Sequence, residues 1–414
     1  MKGKERMKWL GEAPISQALW KLGLPTMIGM LVASLYNVVD AFWVGMLGTV
    51  PLAAVTVVFP LTMVGMGVGM MFGTGANSSI ARLLGEKNIQ RARDYSATAV
   101  YSGVIFMTLL TGLLLWKIDA VLWALGATPE SFVMAKSYGE IFIVGLIINV
   151  FTMTMNNIIV AEGNPAQSMR AMLVAGVSNM ILDPIFIFGF AGGVEGAAWA
   201  TLAARSLAAI IYLRYLFSGA AMVSVSPWHF TLSGEIYRNI LKIGIPFLGF
   251  QLLSGAAVGV TNAAAAAYGT AALAAMGVVT RITSVASNVL IGFIKGFAPL
   301  AGFNYGAGNL VRVWQATHKA MWWSTLALFG FAAICLLFDY DIMTAFVPES
   351  VEAITIGQRG ISYAVIALTT FGVQAVINNY FLAVGKAKQG FVLSVFFQGL
   401  LYIPVLLIMK SIYG

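Results

Sequence analysis

The chain has 414 residues, 59% of them hydrophobic and only 10% charged, with a formal net charge of +8. Soluble domains carry about 25% charged residues, so this composition excludes a water-soluble globule and a disordered chain alike. One cysteine, Cys335, excludes a disulfide framework, and with His229 and His318 it leaves too few ligands for a His/Cys zinc site. The chain reads as an all-α polytopic membrane protein.

An 18-residue polar and amphipathic lead precedes the first apolar span, so no cleavable signal is expected. A membrane-crossing helix needs about 20 apolar residues. The sequence predicts such spans near 19–43, 51–72, 97–116, 134–156, 168–190, 196–217, 239–262, 272–295, 318–338, 354–380 and 391–409. Of the 24 Lys and Arg, 17 fall in the N-terminal segment and in alternate loops, against four (Lys117, Lys136, Arg359 and Lys410) in the other set of loops and ends. That asymmetry places the N-terminus in the cytoplasm. It also accounts for the positive charge without a nucleic-acid partner.

Shifted by 221 residues, the sequence matches itself. Gly48–Val58 falls on Gly269–Val279 with seven identities in eleven positions. Gly23, Pro25, Gly75, Gly85, Asn88 and Arg91 meet Gly244, Pro246, Gly296, Gly306, Asn309 and Arg312. The shift spans an even number of helices, so the two halves share one orientation, as in a parallel repeat. The expected organisation is therefore two parallel-repeat six-helix lobes (6+6). Residues 1–220 form the N-lobe, 221–238 a Ser- and Pro-containing linker, and 239–414 the C-lobe. At this offset Gly414 aligns with Gly193, just before the sixth helix of the first half. The expectation is a C-lobe without its twelfth helix, in a truncated or natively eleven-helix chain.

A carboxylate in the hydrocarbon core costs about 2.5–3.5 kcal/mol or more, which marks it as a functional candidate. Two of the 16 acids lie well inside spans: Asp40 in the first and Asp183 in the fifth. Asp183 lies about 22 Å along its helix, and Asp40 reaches a similar height in the outer half. Asn37 precedes Asp40, and Asn179 precedes Asp183, by about one turn, so each acid shares a helix face with an amide. Thr201, in the opening turns of the sixth span, reaches the same level. Two carboxylates, an amide and a hydroxyl suit a proton or a hard cation such as sodium. The competing reading is that each Asp is tied to a neighbouring amide and never titrates. No buried Lys or Arg is expected beside either acid, which favours the cation site.

The second half has Thr261 where the first has Asp40, and Pro404 near the place of Asp183, so the coupling ion is expected in the N-lobe alone. Pro25 and Pro184 each remove a helical hydrogen bond and permit a bend. A static kink explains them equally well. Tyr36, Asn37, Tyr138 and Asn156 are candidates for a substrate path, although interface tyrosines and buried amide glue are alternatives. Arg281 and Lys295 are expected to face a water-filled cavity or to snorkel inward. Gly75-Ala-Asn-Ser-Ser lacks the ending of a phosphate loop.

Several stretches together resemble the MATE (multidrug and toxic compound extrusion) family. They are Asn37-Val-Val-Asp40 with Trp43-Val-Gly45, Leu84-Gly-Glu-Lys87 with Arg91, and Glu162-Gly-Asn-Pro165. Asn179-Met-Ile-Leu-Asp183-Pro184 and Gly196-Ala-Ala-Trp-Ala-Thr201 complete the set. The resemblance runs from about residue 15 to the end and is nearest the DinF-like branch, whose coupling acids lie in the N-lobe. The NorM branch uses acids in helices 7 and 10, where this chain has Gln251 and none.

The resemblance implies a V-shaped multidrug exporter, an antiporter of cationic or amphipathic organic compounds against H+ or Na+, working by alternating access. It implies that Asp40, Asn179, Asp183 and Thr201 hold the cation and that Pro25 marks the bend in helix 1. No other cofactor, no enzymatic activity and a monomeric state in a prokaryotic plasma membrane are expected. The nearest rival is a lipid-linked precursor flippase, which needs a more cationic cavity than Arg205, Arg281 and Lys295 provide. An intramembrane enzyme lacks a catalytic constellation here, with both histidines read as loop residues. A receptor leaves the duplication unexplained.

Overall fold

A computed structural model describes residues 3–347 and 350–395. The eleventh expected span, its Pro404 and the question of a twelfth helix lie outside them, beyond the first turns of α14.

The described chain is helical throughout. The first half comprises α1 (Gly3–Glu12), α2 (Ile15–Gly45), α3 (Thr49–Gly85), α4 (Ile89–Trp116), α5 (Ile118–Ala124), α6 (Pro129–Ala161), α7 (Pro165–Pro184) and α8 (Gly193–Phe217). The second comprises α9 (Gly234–Ala267), α10 (Thr270–Gly306), α11 (Leu310–Leu337), α12 (Asp339–Phe346), α13 (Val351–Ala383) and α14 (Ala387–Val395). Among the described residues, nine helices are long and apolar enough to span a bilayer. Helix α9 occupies the place of the expected seventh span; its side chains in 250–260 and 262–267 are not among those described.

The helices run longer than hydropathy alone predicts. Helix α3 passes through Gly75-Ala-Asn-Ser-Ser and ends at Gly85 rather than near residue 72. Its polar inner turns stay helical because they pack on other helices: Asn77 donates to Asn157 O at 2.7 Å. Helix α9 likewise starts at Gly234, ahead of the expected residue 239.

The duplication seen in the sequence has a structural counterpart. Helices α3 and α10 both have 37 residues, α4 and α11 both 28, and α6 and α13 both 33. Gly48 and Gly269 precede α3 and α10 with φ of 116° and 103°. In that backbone conformation a Cβ is strained. Asn88 and Asn309 cap α4 and α11 by accepting from Arg91 N and Arg312 N, each satisfying one orphan donor of its helix.

The two halves meet through crossed contacts. Helix α2 packs on α10, α9 on α3, and α3 on α10. A Cβ on Gly85 would lie 2.0 Å from Phe303 O, and one on Gly306 would lie 2.1 Å from Arg82 O. These two contacts are the same contact read from either half, because 82 and 85 become 303 and 306 at the 221-residue shift. Other bonds join the halves on the same side. Ser78 donates to Leu382 O, Arg82 to Ala383 O at 3.1 Å, and Asn304 to Leu10 O at 3.2 Å. This is the side carrying α1 and the basic loops.

Enlarging Gly306 to valine forces α3 and α10 apart at their inner ends. The expected cost is about 1–3 kcal/mol, the usual scale of overpacking, read as a lowered thermal midpoint of the purified protein. Gly330→Val is the control, because nothing lies within 4 Å of a Cβ there.

Candidate functional site

The outer halves of α2, α7 and α8 bring four of the expected residues together. Helix α7 ends at Pro184, whose ring nitrogen cannot donate, and the chain continues in one π-helical turn, Ile185–Gly189. It then reverses through Ala191 and Gly193, both at φ 51°. The reversal is tight: a Cβ on Gly196 would lie 2.4 Å from Phe186 O. This short return sets α8 antiparallel against α7 and brings Thr201 level with Asn179.

Asn179 Nδ2 donates to Asp183 Oδ1 at 2.9 Å and lies 3.3 Å from Thr201 Oγ1. The Asp183 side chain is completely buried and Asn179 is 3% exposed. Asp40 of α2 lies beside Asp183, close enough for the two carboxyls to act on each other. Two buried oxygens here, Asn179 Oδ1 and Asp183 Oδ2, have no hydrogen-bond partner. Such orphans are rare in buried protein, since each forfeits its hydration. A proton or a small cation between the two acids would satisfy them. The donor set is all oxygen, which fits H+ or Na+ better than a transition metal. Among the described residues there is no cluster of three or more His, Cys, Asp or Glu.

Three expectations need correction. Asn37 does not join Asp40: it is exposed, and its Nδ2 donates to Ala33 O at 2.7 Å, one turn back along its own helix. Nor are the acids without a cation. Arg205, one turn after Thr201, acts electrostatically on Asp40, and its guanidinium lies 5.6 Å from the centroid of the Phe142 ring. The i, i+4 spacing of Thr201 and Arg205 on α8 was the available signal. His318 sits within α11 rather than in a loop, its Nδ1 3.1 Å from Trp314 O.

The remaining candidates divide. Tyr138 is buried, stacks on Phe142 at 5.6 Å, and lies close enough to feel Asp40, Asp183, Arg205 and Tyr36. Tyr36 is half-buried on α2, one turn before Asp40. Asn156 is elsewhere: its Nδ2 donates to Tyr212 OH at 3.2 Å, and its carbonyl accepts from Ser168 Oγ at 3.1 Å. That is buried glue between α6, α7 and α8. Arg281 is exposed and Lys295 half-buried, both on α10.

Pro25 lies within a continuous α2. Thr26, beside it, places Oγ1 2.8 Å from Gly23 O and 2.5 Å from Gly292 O of α10. The interruption in the helical ladder therefore coincides with a contact between the two halves.

A second buried charge stands at the opposite end of α6 and α7. Glu162 is fully buried and forms an ion pair with Arg6 at 3.1 Å. It accepts from Tyr215 OH and from Met222 N and Val223 N, the latter at 2.8 and 3.2 Å. Burial pushes the Glu162 carboxyl above its ordinary value, and these four donors offset only part of that.

The family model described as MatE matches residues 25–185 and 251–408. The multidrug export protein MepA of Staphylococcus aureus (strain MSSA476) is 27% identical over 414 residues, covering 99% of this chain and 90% of its own length. A solved structure described as an outward-facing conformation of a multidrug resistance MATE family transporter of the MOP superfamily superposes with a TM-score of 0.90. It is 27% identical and covers 95% of this chain and 88% of its own. Another, described as MATE in the bent conformation, gives 0.85 at 27% identity, covering 95% and 87%.

Replacing Glu162 by glutamine strands the buried Arg6 guanidinium. The expected loss is about 3–5 kcal/mol, the cost of breaking a buried pair from one side. Thermal unfolding of the variant against the parent protein measures it.

Proposed function

Because the chain belongs to the MatE family, we propose that it is a secondary active exporter of cationic or amphipathic organic compounds. Efflux is driven by protons or sodium ions moving inward at Asp40, Asn179, Asp183 and Thr201. Residues 1–220 and 239–414 act as two lobes that alternate the access of a central cleft. The protein sits in the plasma membrane with its N-terminus in the cytoplasm and works as a monomer.

One observation carries this reading: two buried oxygens without partners beside a pair of facing carboxylates. With both acids charged and no ion between them, α2 and α7 repel each other. An ion or proton removes the repulsion and draws the outer part of α2 toward α7 and α8. The inner part of α2 holds α10 through Thr26 and through Ser34, which accepts from Asn288 Nδ2 at 2.9 Å. Helix α2 thus touches both the ion site and the other lobe. Pro25, which leaves the Lys21 carbonyl without its donor, lies inward of Thr26, Ser34 and Asp40, so the whole outer length of α2 pivots there against its inner end. Ion occupancy then biases the lobe contact, and a substrate in the cleft competes for the same helix. Equal affinity for both states would shift nothing, so the coupling lies in the difference between them. Tyr138 and Tyr36 line the approach from the cleft to the acids.

Arg205 attends Asp40 rather than standing ready for an anionic substrate, which weighs against the lipid-precursor flippase. It serves as a fixed counter-charge that moderates the cost of the acid pair when the ion leaves.

In everted vesicles loaded with a cationic dye, an imposed proton gradient or an imposed sodium gradient is expected to drive transport, and the effective gradient identifies the ion. Asp40→Asn and Asp183→Asn are expected to reduce ion-driven transport to the level of vesicles without the protein. Near-normal transport by either variant would overturn the assignment. Pro25→Ala is expected to lower turnover while leaving dye binding within about threefold, since it acts on the change of state rather than on the contacts.

A further inference from the structure

On the side of the basic loops, far from the acid pair, lies a cavity of about 360 Å³. Arg170, on its wall, precedes Asp183 by 13 residues on α7, or roughly 20 Å along the helix. The ion-site reading does not use this cavity. Its walls come from four separate segments: Arg6 and Trp9 of α1, Lys21 and Leu22 of α2, Gly163–Gln167 with Arg170 at the α6–α7 junction and the start of α7, and Tyr215 and Ala220 at the end of α8. Its carboxylate neighbour, Glu162, is consumed by Arg6, Tyr215 and two backbone amides. Lys21 and Arg170 are exposed and form no salt bridge among the described residues. Lys21 instead lies over the Trp9 ring at 4.8 Å from its centroid. The cavity therefore carries two uncompensated positive charges from two different helices, with a guanidinium already fixed at its base.

We propose that this cavity binds the phosphate headgroup of an anionic phospholipid from the leaflet on the N-terminal side. Phosphate chemistry follows from Arg170 and Lys21 converging with the first turn of α7. There Pro165 has no N–H and Gln167 N donates to Asn164 O, so the turn adds the positive end of its dipole to the two side-chain cations rather than a row of free amides. A lipid source rather than a soluble phosphate follows from depth. Trp20, beside Lys21 and 5.8 Å from the Trp323 ring of α11, and Leu24, one turn later, are each about half exposed. The cavity thus opens where an apolar stripe meets the basic loops, the position at which basic pockets between helices hold lipid headgroups. A bound headgroup bridges α1, α2 and α7, and so ties the inner end of the helix carrying Asp40 to the helix carrying Asp183.

Native mass spectrometry of the full-length protein, titrated with phosphatidylglycerol or phosphatidylcholine, tests this. The first phosphatidylglycerol is expected to bind more tightly than the first phosphatidylcholine. Lys21→Gln with Arg170→Gln should weaken phosphatidylglycerol roughly tenfold or more and leave phosphatidylcholine unchanged. Lys21→Arg with Arg170→Lys should retain binding, and Lys388→Gln, an exposed cation elsewhere, should have no effect. Both neutralised side chains are exposed, so an unchanged thermal midpoint in phosphatidylcholine shows that the double variant folds. Undiminished phosphatidylglycerol binding by the folded double variant would overturn the proposal. Displacement of the lipid by millimolar inorganic phosphate would overturn the lipid assignment in favour of a soluble anion.

Discussion

The close approach of α3 and α10 at Gly85 and Gly306 is the constraint on which the rest of the architecture depends. At this crossing the backbone of each helix occupies the space that a side chain would fill on the other. Only glycine permits that distance, and packing at backbone range replaces a hydrophobic effect that lipid does not supply between helices. The same crossing, read from either half, relates the two halves to each other. It brings α2 onto α10 and α9 onto α3, so each half is held by the first long helix of the other. The halves are joined on the side of the basic loops, where the charged ends of the helices also meet.

The carboxylates stand toward the other end of α2, away from this joint. Their separation from it gives α2 two duties, one facing α7 and α8 and one facing α10. A straight, fully bonded helix would transmit any outer movement rigidly. Pro25 removes the rung at the Lys21 carbonyl, inward of both regions, and Thr26, beside it, makes the contact with Gly292.

Positive charge is used in four ways in this chain. Most Lys and Arg residues gather in α1, in the ends of the long helices and in the connections on the α1 side of the bundle. Arg6 is buried as the partner of Glu162 and pins α1 across the α6–α7 junction and the segment after α8. Lys21 and Arg170 remain uncompensated at the rim of a cavity that Arg6 helps to build. Arg205 adds a single cation beside Asp40, far from the others. The burial of a charged pair at one end of α7 and of an acid pair at the other gives that helix fixed electrostatic partners along its length.

Much of this was legible in the sequence because it depends on composition and period. Hydropathy located the helices, the 221-residue shift revealed the duplication, and the cost of a carboxylate in lipid singled out Asp40 and Asp183. Helix spacing correctly placed Asn179 with Asp183, since both lie on one helix and i, i+4 neighbours must meet. The same rule failed for Asn37, because a side-chain amide can equally turn back to its own helix carbonyl, here Ala33. Contacts between helices carry no such local signature. The pairing of Arg6 with Glu162 across 156 positions and the cavity walled by four segments were decided only by how the helices cross. Period and composition determine which face of a helix is apolar; the crossing of two helices determines which polar groups on those faces share a site.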